Sequence, residues 1–280
     1  MNTEDAQEQK VAGGLRQVLN RHGYGFHYSV LQRAASLYEE RRSKWMFEVA
    51  ELPVEVQGAG TRIDFILRER TRRLYLLAEC KRANPALSNW CFVRAPYYRR
   101  NQEEGRVVVE EARGSLGGEV FTRTSTLTCT KKLYHLGLEV RSGEKGDPSG
   151  SGRGAIEEAA TQVCRGLSGM VNFLSAHPQI LQLDQRDAFL PVIFTTARIW
   201  TTEVDLGSAD LQTGELELGT TTVTEEPWIW FQYHLSPGLK HSISADEAPT
   251  ELGDILDLKY VRTIAVVNSS GIENFLVQEW

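Results

Sequence analysis

Three residues in two neighbouring apolar runs have the types and spacing of a hydrolytic metal site. Asp64 lies inside TRIDFIL, and Glu79 and Lys81 close the next run, LYLLAECK. Alternate residues of a strand share a face, so Glu79 and Lys81 point the same way. If the two runs pair as a hairpin, Asp64 falls beside Glu79. Two carboxylates placed together repel, and burial raises the pKa of each, unless a cation compensates them. A hard divalent ion such as Mg²⁺ takes carboxylate, carbonyl and water oxygens, and a substrate phosphate can complete its octahedron. The backbone carbonyl of Cys80 is a further candidate ligand. Lys81 next to such an ion would hold or deprotonate the attacking water, while the metal polarises the phosphoryl group and lowers the water's pKa. Together these residues form a compact set for metal-assisted phosphodiester hydrolysis.

Context gives the set its weight, because a bare Glu-x-Lys arises about once by chance in a chain of this length. Glu8 and Lys10 form the same tripeptide in a polar helical segment with no acidic strand before it, and Asp257 and Lys259 form another decoy. Only Glu79 follows an apolar strand that is itself preceded by an acid-bearing apolar strand.

The elements that must position these residues follow from periodicity. Thr3 to Asn20 and Tyr28 to about Arg42 repeat apolar residues at helical intervals, separated by RHGYG. WMFEVAELPVEV, TRIDFILRE and RRLYLLAECK are rich in β-branched and aromatic residues and are divided by QGAG and ERT, as a three-strand meander would be. Residues 82–154 read as inserted hairpins and loops, ending in a Gly/Ser segment. Ala155 to His177 then forms a long amphipathic helix with Glu157 and Glu158 in its first turn, and AFLPVIFTTARIW follows as a buried strand. Residues 201–280 read as a β-rich extension, with Trp228, Trp230, Phe231 and Tyr233 filling a sheet face and a last short helix capped by Ser269 or Ser270. The expected fold is one elaborated α/β domain over 1–280, with a mixed-sheet core of order α-β-β-β-α-β at about 28–81 and 155–200.

Asp64 on one strand, and Glu79, Cys80 and Lys81 at the end of the next, make the sequence resemble the PD-(D/E)XK nuclease superfamily, whose restriction-endonuclease-like core has the same element order. Ile63 replaces the proline of the motif's name, and Gly166 stands where some members place a tyrosine. The resemblance implies a Mg²⁺-dependent nuclease, with Mn²⁺ as a substitute, acting on nucleic acid as a DNA endonuclease in restriction, phage defence or repair. It also implies metal ligation by Asp64, Glu79 and the Cys80 carbonyl, and Lys81 as the water-positioning group. Gln162 occupies the position of a site-facing glutamine on the second helix. Such nucleases often draw one more carboxylate from the preceding helix and strand, where Glu39, Glu40, Glu48 and Glu51 lie; Glu48 in the FEVAE strand and Glu40 near the helix end are the expected ones.

The 280 residues carry a net charge of −6, which argues against coating nucleic acid through the whole surface. The stretch from Gly60 to Lys132 nevertheless holds 15 Lys and Arg against 8 Asp and Glu, a local +7 that leaves −13 elsewhere. Arg82, Arg99, Arg100, Lys131 and Lys132 are therefore the expected contacts to double-stranded DNA. Trp90, Phe92, Tyr97 and Tyr98 either pack the insertion or stack on bases, with packing the simpler role. Cys80, Cys91, Cys129 and Cys164 form no CxxC pair, and no run is long and apolar enough for a signal peptide or membrane helix, which points to the cytoplasm. His22 and His27 flank a glycine turn without a third ligand, so a zinc or HNH-like site has little support. The alternatives are a dormant nuclease fold kept for nucleic-acid binding or assembly, and an effector active only after homo-oligomerisation or binding of an activating protein.

Overall fold

The computed structural model describes residues 3–21, 23–69, 71, 73–95, 106–115, 119–129, 131–141, 154–181, 185–216, 222–235, 239 and 259–278. Two helices, α1 (Thr3–Arg21) and α2 (Tyr24–Glu39), lead into an antiparallel meander of β1 (Trp45–Val56), β2 (Ala59–Glu69) and β3 (Leu74–Lys81). Gln57 and Gly58, both left-handed at φ 53° and 76°, close the first hairpin in the two-residue turn that matches strand twist. The helical period read through Arg42 overruns α2. Arg41 adopts φ 58°, and the amides of Arg41 and Arg42 bond back to Tyr38 and Leu37, a Schellman stop built without glycine.

A long crossover containing α3 (Gly154–Ala176) brings β9 (Arg186–Thr195) parallel to β3. The main sheet continues through β13 (Val261–Asn268), β12 (Trp228–His234) and β7 (Leu133–Tyr134). β9 is apolar from Ala188 to Phe194, as suits a strand covered along both edges. One is taken by β3, and the other is shared by β13 and by β5 (Arg106–Gly114), which pairs with β6 (Val120–Thr128). A second sheet has the order β11 (Val223–Glu226), β10 (Arg198–Thr202), β4 (Asn89–Val93), β8 (Leu136–Val140). The architecture is mixed α/β, built on a large mixed sheet.

Segments 82–154 and 201–280 are thus not appendages, because each contributes strands to both sheets. The aromatic run of β12 also serves two faces. Trp228 and Trp230 join the cluster under α2, with Trp228 5.2 Å from Phe275 of α4 (Ile272–Val277), while Ile229, Phe231 and Tyr233 join the opposite one. At the C-terminal turn the capping oxygen is that of Asn268, which accepts from the Ser270 amide at 2.8 Å, in place of either serine. No helix among the described residues is long and apolar enough to cross a membrane.

α2 covers one face of the meander through Val30, Ala34 and Leu37, and α3 covers the other. α3 sits close because of two glycines. A Cβ on Gly169 would stand 2.7 Å from Val54 Cβ, and one on Gly166 would stand 3.0 Å from Ile63 Cγ1. Helix propensity alone favours alanine over glycine by about 1 kcal/mol. Gly169→Ala is nevertheless expected to destabilise the protein by about 1–3 kcal/mol through overpacking against β1. A thermal melt reads the sign, and a raised Tm would show that α3 can retreat from the sheet at no cost.

Candidate active site

β2 and β3 separate at the residues singled out above. Their ladder ends at Phe65 opposite Ala78, and the next pair in register is Asp64 and Glu79. There the Asp64 carboxylate replaces the backbone as partner, with Oδ2 accepting from the Cys80 amide at 2.7 Å. The N–H and C=O of one strand residue project toward the same edge, so the Cys80 carbonyl also points toward β2. On the other side, β1 places Glu51 opposite Asp64, between the pairs Ala50–Phe65 and Leu52–Ile63. Glu51 is left-handed at φ 52° inside a strand. The alternation of β2 breaks at the same point: Ile63 and Ile66, three residues apart, pack together under α3, while Phe65 and Leu67 face α2.

α2 adds His27, whose Nδ1 lies 3.5 Å from Glu51 Oε1. Ligand atoms of His27, Glu51 and Asp64 lie within 4.8 Å of one another, the one such group among the described residues. Opposite ligands of a single ion at about 2.1 Å stand about 4.2 Å apart, so one small divalent cation suits this spacing. The imidazole of His27 stacks on Tyr28 and leans on Phe65, and its Nε2 is buried with no hydrogen-bond partner among the described residues. From α3, Glu158 Oε2 holds Lys81 Nζ at 2.8 Å. One turn further on, Gln162 buries its Oε1 without a hydrogen-bond partner among the described residues.

Electrostatics at this strand end oppose ionisation. Burial raises the pKa of Asp64, against the lowering effects of the Cys80 amide, His27 and Lys81. Glu79 is pushed up to about 8, first by burial and then by the charge of Asp64, with Lys81 acting the other way. Glu79 is close enough to feel Asp64 and yet lies outside the 4.8 Å group.

Asp64, Glu79, Cys80 and Lys81 therefore converge, and Gln162 shares the α3 turn above Glu158. Other expected members lie elsewhere. Glu48 pairs with Arg68 at 3.6 Å, and, an odd number of residues from Glu51 on the same strand, it does not share that residue's place beside Asp64. Glu40 pairs with Arg42 at the far end of α2, about 20 Å along the helix from His27. Glu51 stands in the place expected of either.

Among the expected DNA contacts, Arg82 donates to the Asn20 carbonyl and ties the α1–α2 junction to the end of β3. Lys131 lies 4.2 Å over the Trp228 ring and 3.6 Å from Glu226, and Lys132 pairs with Glu203. Lys131 sits against β12, three strands along the sheet from β3 and about 15 Å away at usual strand spacing, and Lys132 leads into β7 on the far side of β12, so neither lysine borders the acidic group. Trp90 and Phe92 are buried and pack. Arg99, Arg100, Tyr97 and Tyr98 lie outside the described residues, as do His22 and Asp257.

His27 has no ligand neighbour in sequence, yet its spacing to Val30, Ala34 and Leu37 places it on the buried face of α2. That spacing was the available signal. The chain matches no protein-family model, no curated protein and no solved structure.

The raised Glu79 pKa has a stability consequence in the metal-free protein. Its folded-state value of about 8 exceeds the ordinary 4.5, so the folded state binds the extra proton, and this group's contribution falls as pH rises from about 4.5 to 8. Glu79→Gln removes the cost of ionisation. With EDTA present, its Tm advantage over the parent should be near zero at pH 5 and grow to about 5–10 °C at pH 8.5. An advantage independent of pH would remove ionisation as the cause.

Proposed function

We propose that the chain is a divalent-metal-dependent nuclease of restriction-endonuclease-like fold that hydrolyses phosphodiester bonds in double-stranded DNA. The observation that carries the proposal is the meeting of Asp64 and Glu79 where β2 and β3 part, with Lys81 two residues beyond Glu79. The succession α2, β1, β2, β3, α3, β9, with β9 parallel to β3, supports the same reading. In it, Asp64, Glu79 and the Cys80 carbonyl hold the ion, with Glu51 and His27 beside them. An imidazole in an otherwise oxygen-rich set favours Mn²⁺, which accepts both donor types, over Mg²⁺.

The bound ion would supply Lewis acidity toward a phosphoryl oxygen and toward a water. The chain's own groups do the positioning. Lys81 holds the attacking water and offsets negative charge on the phosphoryl group, and Glu158 fixes where its ammonium stands. The buried Gln162 Oε1 is an acceptor with no hydrogen-bond partner among the described residues, free to take a bound water. Arg62, on the rim and 3.6 Å from Glu51, is 71% exposed in its side chain and can reach a backbone phosphate. Presence of all three of Asp64, Glu79 and Lys81 speaks against a dormant module.

Nicking of supercoiled plasmid tests the proposal. Cleavage is expected with Mn²⁺, more weakly with Mg²⁺, and not with EDTA. Asp64→Asn and Lys81→Met should each lower the rate by about 10²–10⁴-fold, and His27→Ala should narrow the preference for Mn²⁺. Cleavage unaffected by Asp64→Asn and Lys81→Met, or no cleavage with either ion, overturns the assignment.

A further inference from the structure

We propose that α1 is a dimerisation arm that pairs antiparallel with α1 of a second copy of this chain. Every residue from Gln7 to Asn20 is exposed, including Val11 (65%), Leu15 (58%), Val18 (51%) and Leu19 (42%). Spacings of four, three and one put these aliphatic residues on one side of the helix. α1 is tethered at its C-terminal end, where the Asn20 carbonyl accepts from Arg82 and Gly23, at φ 74°, turns the chain into α2. A lone helix of this length with Gly13 and Gly14 at its centre is marginal in water, so its helical form calls for a covering partner.

The glycines also describe that partner. Nothing lies within 4 Å of a Cβ built on either one. Gly14 is three residues from Val11 and four from Val18, so it opens a notch in the apolar stripe where a second helix can approach closely. The order of charges selects the partner and its direction. By sequence the helix carries Glu4, Asp5, Glu8 and Lys10 in its first half, a net −2, and Arg16 and Arg21 in its second, a net +2. These six charges sum to zero, which does not suit a phosphate backbone. A parallel pair would set like halves together, whereas an antiparallel pair sets each acidic half against a basic one. Such a surface is self-complementary about a two-fold axis near Gly14. A helix pair of this size falls below the area of a standard interface, so association belongs at micromolar concentration.

Sedimentation velocity of the full chain over about 1–200 µM, together with cysteine cross-linking, tests the inference. The parent should shift from monomer to dimer within this range, and Leu15→Lys should weaken dimerisation at least tenfold with an unchanged melt of the main domain. Under mild oxidation Gly14→Cys should form a covalent dimer. Val18→Cys should not, because two copies of position 18 in an antiparallel pair stand about 12 Å apart along the axis, beyond disulfide reach. A monomeric parent at the highest concentration, a dimer indifferent to Leu15→Lys, or equal cross-linking at 14 and 18 overturns it. None of these outcomes depends on the chain being a nuclease, and plasmid nicking can fail while the dimer stands.

Discussion

The hydrogen bond from the Cys80 amide to Asp64 Oδ2 is the local interaction on which the site depends. β3 must leave β2 at this point, and a strand amide that loses its ladder partner in a buried setting costs about 1–3 kcal/mol unless another acceptor takes it. Asp64 supplies that acceptor, so a side chain does the work of the missing backbone carbonyl. The same exchange aims the Cys80 carbonyl into the gap and leaves Glu79 facing it. β9 makes the exchange affordable, because Glu79 and Lys81 remain in register with Ile193 and Thr195 on the other edge of β3. The strand end is therefore open toward β2 and held rigidly toward β9.

Rigidity on the β9 side has its own source. β9 is paired along both edges, and where β5 and β13 meet beside it a buried Glu110–Arg262 ion pair fills the junction. Burial pushes Glu110 up to about 7 even with Arg262 and Thr124 in contact, so this pair adds directional constraint more than net stability. α3 then closes the opposite face. Its glycines let it lie near enough to β1 and β2 for Glu158, in its first turns, to reach Lys81. Close packing at Gly166 and Gly169 and ion pairing at Glu158 are two ends of one helix placement.

Much of this was legible in the chain, and the reason differs by element. β1, β2 and β3 announced themselves because one-sided and two-sided burial impose period-two or continuous apolar runs. Asp64 stood out because an acid inside such a run is costly. Glu51 did not, since its role depends on a left-handed residue that breaks the strand's alternation, and no composition rule marks a glutamate for φ 52°. His27 was visible only as one more member of α2's buried face. The strands assigned to an insertion and an extension were found as strands but not as core members. Pairing of β13 and β5 with β9 joins residues far apart in sequence, and periodicity carries no information about partners.

Several unfavourable features coincide around one strand end. Glu51 holds a conformation that costs a non-glycine residue about 1–3 kcal/mol. His27 Nε2 and Gln162 Oε1 are buried without hydrogen-bond partners among the described residues, and Asp64 and Glu79 both resist ionisation. A sheet that needed only stability would relieve each of these with a single substitution, such as glycine at 51 or an apolar residue at 79. What relates them is position: ligand atoms of Asp64, Glu51 and His27 lie within 4.8 Å of one another, with Glu79 and the Lys81 ammonium close enough to act on Asp64 by charge. A cation would remove the repulsion between the acids and take up their desolvation cost. That shared relief supports the proposed metal site more strongly than the spacing of Glu79 and Lys81 alone, because Glu8 and Lys10 repeat that spacing on α1 with none of these costs around them.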